Sequence, residues 1–225
     1  MNTTYHLLIY AACYSIFFIH TMVSNKNRSN RLFDNKGRLA SNQSSLTELY
    51  SVGIMWLALV PIAMLKHSSG LRYVPAAAPT TLQLFTLLLL LILFIVTGMR
   101  LGRQVILNDK YDQLLSRSFL GYYFPLRVVF LCAYELFFRG YLFFDCTAWF
   151  GFLLAMIIST ALTILIHVFN NKKEMWACIP FGLILCSCNY WFQAVWPAVI
   201  MHIALCMSYE ITFVHQFFSK LKPVK

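Results

Sequence analysis

The stretch Ala133-Tyr134-Glu135-Leu136-Phe137-Phe138-Arg139-Gly140-Tyr141 sets a carboxylate and a guanidinium four residues apart inside a long apolar run. On a helix that spacing brings Glu135 and Arg139 to one face, where they can pair. A charge at such depth in a membrane costs at least about 2.5–3.5 kcal/mol, so it turns toward protein and takes a partner. The pair then either clamps neighbouring helices or belongs to a functional site. His167 and His202, each in a later apolar run, favour function, because a Glu and a His together can activate water. The same three residues are also a conceivable zinc set. No HExxH or CxxC pair accompanies them. A rise of 1.5 Å per residue also sets His167 roughly 14 Å deeper than His202, so no metal or other cofactor is expected.

These residues need a scaffold, and composition names its class. Of 225 residues, 60% are hydrophobic and 12% charged, and the mean hydropathy is +0.66. A soluble domain carries roughly a quarter charged residues, so the chain reads as an all-α polytopic membrane bundle. Its net charge of +10 is spread over loops between apolar runs instead of one arm, which argues against nucleic acid. The cysteines Cys13, Cys132, Cys146, Cys178, Cys186, Cys188 and Cys206 are odd in number and lie in or beside apolar runs. They suit packing better than a disulfide framework.

Seven spans are expected, over about 5–23, 49–65, 80–99, 121–149, 150–169, 175–192 and 195–218. No positive residue precedes the first span and Lys26, Arg28 and Arg31 follow it, the reverse of a signal peptide. With the N-terminus outside and the C-terminus cytoplasmic, fourteen of the eighteen Lys/Arg fall inside and only Lys66 and Arg72 outside. Arg127 and Arg139 remain within span four, where Arg127, near Pro125, is expected to snorkel to the headgroups. Pro61 predicts a kink in span two. The amphipathic segment 100–120 is expected to lie along the interface, and the third, Leu-rich span to face lipid. The whole of 1–225 reads as one membrane domain. Three N-terminal spans and the interfacial segment occupy 1–120, and 121–218 form a core with a polar cavity between spans four, five and seven.

Glu135-Leu-Phe-Phe-Arg139-Gly140, His167 in the next span, and Trp196-Pro197-Ala-Val-Ile-Met-His202 in the last resemble the CPBP family. It comprises the type II CAAX prenyl endopeptidases and the bacteriocin-processing and immunity proteins. The resemblance covers about 121–209, and it implies a metal-free intramembrane protease. In the family's Glu-Glu-x-x-x-Arg pattern, Glu135 and Arg139 match the second Glu and the Arg, while Tyr134 stands at the water-activating Glu. In Phe-x-x-x-His, His167 matches and Thr163 replaces the Phe. In His-x-x-x-Asn/Asp, His202 matches and Cys206 replaces the amide or acid.

The resemblance implies that Glu135 is the surviving acid or base, that Arg139 holds it, that His167 orients water and that His202 donates to the oxyanion. Tyr134 cannot serve as a base at neutral pH, and the Cys206 thiol is a poorer oxyanion donor than an amide. Two functional readings stand. One is a protease acting on membrane-associated peptides or proteins by Glu/His-activated water. The other is a degraded relative that serves as a non-catalytic membrane adaptor or immunity protein. Either implies an integral protein, expected in a bacterial cytoplasmic membrane, with a peptide or protein partner in the lipid bilayer. A transporter is disfavoured, because no inverted repeat is present.

Overall fold

The computed structural model describes residues 3–26, 32, 43–65, 78–104, 116–168 and 172–220. Among them the regular structure is entirely helical. In chain order the helices are α1 (Thr3–Lys26), α2 (Gln43–Ile54), α3 (Val60–Leu65), α4 (Thr81–Gln104), α5 (Arg117–Glu135), α6 (Phe143–Phe150), α7 (Phe152–His167), α8 (Lys172–Phe192) and α9 (Trp196–Lys220). π-helical turns at Met55–Leu59 and Leu136–Leu142 join α2 to α3 and α5 to α6.

Five stretches are long and apolar enough to cross a membrane: Thr3–Ser24, Leu46–Ala63, Thr81–Gln104, Lys172–Phe192 and Trp196–Ser219. Each backbone satisfies itself along the helix, which hydrocarbon requires. The rod 117–150, which carries the buried Glu135 and Arg139, and the shorter apolar α7 complete the bundle. As expected of span three, α4 leaves Leu82, Phe85, Leu88, Leu89, Ile92 and Leu93 exposed.

The opposite face of α4 meets α9 closely, and two glycines permit it. A Cβ on Gly98 would collide with the Ser208 side chain and the Leu205 carbonyl; one on Gly102 would reach 2.7 Å from the Tyr209 carbonyl oxygen. This is the small-xxx-small solution to helix packing in lipid, where association rests on backbone approach. Gly98→Leu or Gly102→Val is expected to pry α4 from α9 and lower the unfolding temperature in detergent by several degrees. The exposed Gly121→Ala, with open space around its Cβ, is the control that should leave it unchanged.

The π turn that follows Glu135 frees backbone carbonyls, and neighbouring helices supply donors to them. Ser159 of α7 donates to the Phe138 carbonyl at 2.8 Å, and the Asn189 amide of α8 donates to the Arg139 carbonyl at 3.3 Å. The Asn189 side-chain oxygen accepts from the Ala198 N–H at 3.1 Å, satisfying a donor at the start of α9 that has no partner within its own helix. One fully buried amide thus joins the π turn to two helices. Asn189→Leu orphans both groups and should destabilise the fold by about 1–3 kcal/mol for each, read as reduced thermal stability in nanodiscs.

One expectation changes: Arg127 turns to protein partners. Its Nε is 3.2 Å from Glu210 Oε1, and its guanidinium lies over the Tyr50 and Phe130 rings. Pairing with a buried carboxylate outcompetes snorkelling because it removes two uncompensated charges at once. In span two the irregularity is the π turn before Pro61. Helix α4 continues through Gln104 and α5 begins at Arg117, so the middle of the expected interfacial segment lies outside the described residues, as does most of the 24–48 loop.

Candidate active site

The sequence places a short polar stripe on each of several helices, and the bundle brings them to one cavity of about 290 Å³. Tyr134 and Arg139 reach it from the central rod, His167 from the end of α7, Glu174 and Cys178 from α8, and His202 and Cys206 from α9. Apolar walls come from residues such as Phe17, Leu49, Phe130 and Phe181. Helices α1, α2, α4 and α8 therefore contribute beside the expected three.

Glu135 is completely buried, and its contact with this space runs through His202. Glu135 Oε1 is 2.5 Å from His202 Nδ1 and 3.6 Å from Arg139 Nη1. An ionised carboxylate only accepts, so Nδ1 carries the proton and the remaining nitrogen, Nε2, is left to exchange one. The imidazole is wedged edge-on to Tyr134 and Phe181, with centroids 5.7 and 5.2 Å away. Such packing helps to hold the ring in place.

Arg139 is 1% exposed and none of its three nitrogens has a hydrogen-bond partner. It is held by the ion pair with Glu135 and by its place beside the Phe138 ring. Gly182 makes room for it, because a Cβ there would lie 3.3 Å from Nη2 and 3.0 Å from Thr160. The Tyr134 hydroxyl is likewise buried without a partner. Buried donors of this kind call for an acceptor, and here both residues line the cavity.

The expected residues are thus distributed as follows. Glu135, Arg139 and His202 form one contiguous cluster, with Tyr134 packed on the histidine. His167 and Cys206 line the same cavity. Thr163 lines it too, with its hydroxyl turned to the Ser159 carbonyl. Among the described residues no three His, Cys, Asp or Glu side chains converge as a metal site would require.

Sequence reasoning overlooked three carboxylates. Glu210 receives the Tyr123 hydroxyl at 3.0 Å and Arg127 at 3.2 Å, while Tyr50 and Tyr123 join hydroxyls at 3.3 Å. Asp145 receives Tyr10 at 2.6 Å and His6 at 2.8 Å. Glu174 lines the cavity. The spacing of His202, Cys206 and Glu210 at four-residue steps was a readable signal for one polar face along α9.

Residues 116–207 match the family model described as type II CAAX prenyl endopeptidase Rce1-like. This match agrees with the resemblance of the segment to the CPBP family. No curated protein and no solved structure matches the chain. The matched segment runs from the start of α5 to just past Cys206 and contains the whole Glu135–Arg139–His202 cluster.

That cluster sets a stability test. Glu135→Gln or Arg139→Met alone leaves a buried charge without its counterpart and should cost about 3–5 kcal/mol. The double change should cost markedly less than the sum. A double-mutant cycle on thermal unfolding that shows simple additivity would show that the two side chains act separately.

Proposed function

We propose that the chain is an intramembrane endopeptidase of the CPBP type, acting on peptide segments that enter its cavity from the bilayer. The observation that carries this reading is the 2.5 Å hydrogen bond between a fully buried carboxylate, Glu135, and a histidine that opens onto the cavity. Glu135 and His202 work as one acid–base unit: the carboxylate fixes the tautomer and steadies the imidazolium, and Nε2 moves the proton. His167 orients the attacking group. The unsatisfied Tyr134 hydroxyl and Arg139 guanidinium are donors for the charge that develops on the carbonyl oxygen. Apolar walls suit an apolar, membrane-associated peptide, and the matched family supports a prenyl-type or processed peptide as the substrate class.

The same reading has the chain cross seven times as one membrane domain, expected in a bacterial cytoplasmic membrane. The N-terminus is outside, the C-terminus is cytoplasmic, and 121–218 form the core. Cysteine labelling from outside intact cells should reach positions 66–72 and not the C-terminal tail; the opposite pattern overturns the orientation.

Activity is tested with purified protein in nanodiscs on a fluorogenic apolar peptide. Glu135→Gln and His202→Ala should each lower turnover by about 10²–10⁴-fold. Wild-type turnover that survives both changes refutes the assignment of the site. A second reading is favoured by one observation, the tyrosine that stands at the family's water-activating position. On that reading the cavity binds a peptide without cutting it, as an adaptor or immunity protein would, and wild-type protein shows saturable peptide binding with no turnover.

A further inference from the structure

Cys206 follows His202 by one helical turn, and both side chains line the cavity. At four-residue spacing on one helix, the two side chains are neighbours on the same face. Because Nδ1 of His202 is committed to Glu135 at 2.5 Å, the nitrogen available to a thiol is Nε2. In sequence order these residues give a carboxylate hydrogen-bonded to a base, and a thiol one helical turn from that base, which are the parts of an activated-nucleophile site. Two further features point to a ligand carbonyl. The Tyr134 hydroxyl and the Arg139 nitrogens, on residues 4% and 1% exposed, have no hydrogen-bond partners and line the same cavity. Donors left unsatisfied beside a nucleophile are what a tetrahedral oxyanion requires.

We propose that Cys206 is the nucleophile of this site, with His202 as its base and Glu135 as the carboxylate that positions His202, so that peptide cleavage passes through a thioester on α9. The inference rests on the endopeptidase reading and adds the covalent step to it. It also accounts together for two of the three departures from the family pattern, those at Tyr134 and Cys206. A tyrosine at position 134 removes the carboxylate that would activate water, and a cysteine at position 206 supplies a nucleophile that needs no activated water in the first step.

The chemistry closes with water as the sole co-reactant. Sγ of Cys206 attacks the scissile carbonyl carbon while its proton passes to His202 Nε2. The carbonyl π electrons move to oxygen, and Tyr134 and Arg139 donate to it. Collapse restores the carbonyl and breaks the C–N bond, and the leaving nitrogen takes the proton from Nε2. Water then attacks the thioester, gives its proton to His202, and expels the Cys206 thiolate, which recovers that proton. The products are a carboxylic acid and an amine, with no change of oxidation state. Glu135 never touches the substrate; it is a positioning residue.

The test uses full-length protein in nanodiscs and two readouts. In the first, N-ethylmaleimide is added and the labelled cysteines are followed by peptide mapping. Cys206 should react at least about tenfold faster than Cys178, a thiol facing the same cavity, and His202→Gln should abolish that advantage. In the second, the fluorogenic peptide is cleaved in the presence of hydroxylamine. The wild type should yield the peptide hydroxamate, and Cys206→Ala should lose turnover by at least about 10²-fold. A Cys206→Ala protein that cleaves at the wild-type rate overturns the nucleophile while leaving the endopeptidase reading intact. Cleavage that survives Glu135→Gln and His202→Ala overturns that reading instead. If the wild type cuts no peptide, alkylation still decides: Cys206 no faster than Cys178, or unaffected by His202→Gln, refutes the activated thiol.

Discussion

One carboxylate must serve two partners on two helices with no water to help it. Glu135 is buried completely, and its single hydrogen-bonded oxygen faces both the His202 imidazole and the Arg139 guanidinium. Inside a bilayer none of these groups can be left alone, since the uncompensated charge would cost several kcal/mol. The central rod and α9 are therefore pinned at this level. The position of His202 in the cavity follows from that constraint more than from any property of α9 itself.

The constraint propagates through the backbone. Helix α5 ends at Glu135 and the chain widens into a π turn through Leu142, a departure from α geometry that often accompanies functional sites. Widening changes the direction of every side chain after it and frees carbonyls that lipid cannot satisfy. Ser159 and Asn189 meet that need from two other helices, so the irregular turn can exist only inside this bundle. On the far side, Gly98 and Gly102 bring α4 against α9. A second buried pair, Arg127 and Glu210, fastens α5 to α9 below the first. This ion pair and the Glu135–His202 hydrogen bond across one helix–helix contact fix its register, because a shift of one residue would part both.

Much of this was legible in the sequence, for reasons that separate what was seen from what was not. Apolar runs reveal which segments need lipid or a core, and a charge inside such a run stands out by its cost; Glu135 and Arg139 were visible on that ground. The four-residue spacing also gave their pairing, although it could not give the π turn, since an α-helix and a π turn accept the same residues here. Arg127 misled because a long cation near a proline and a span end fits snorkelling equally well, and only the tertiary partner Glu210 decides. Glu210 and Asp145 were passed over because each lies toward the end of its apolar run, where a polar residue looks like a flank. Hydropathy is blind to the difference between facing water and facing a partner. The glycine pair on α4 was present as a short motif but was hidden within the run's uniform Leu content.

Two of the residues that depart from the family pattern, Tyr134 and Cys206, are informative because they line one cavity. Tyr134 packs edge-on against His202, and Cys206 lies one turn further along the same helix as that histidine. If the site had merely decayed, nothing would require the donors around it to stay buried and oriented, and a guanidinium with no hydrogen-bond partner would be an uncompensated cost. Instead Arg139 keeps its ion pair, Gly182 keeps space for it, and His202 keeps its buried carboxylate. The Glu135–His202 hydrogen bond and the Glu135–Arg139 ion pair are both present although a tyrosine stands at position 134. On α9 the helical repeat places Cys206 one turn beyond His202, facing the same cavity.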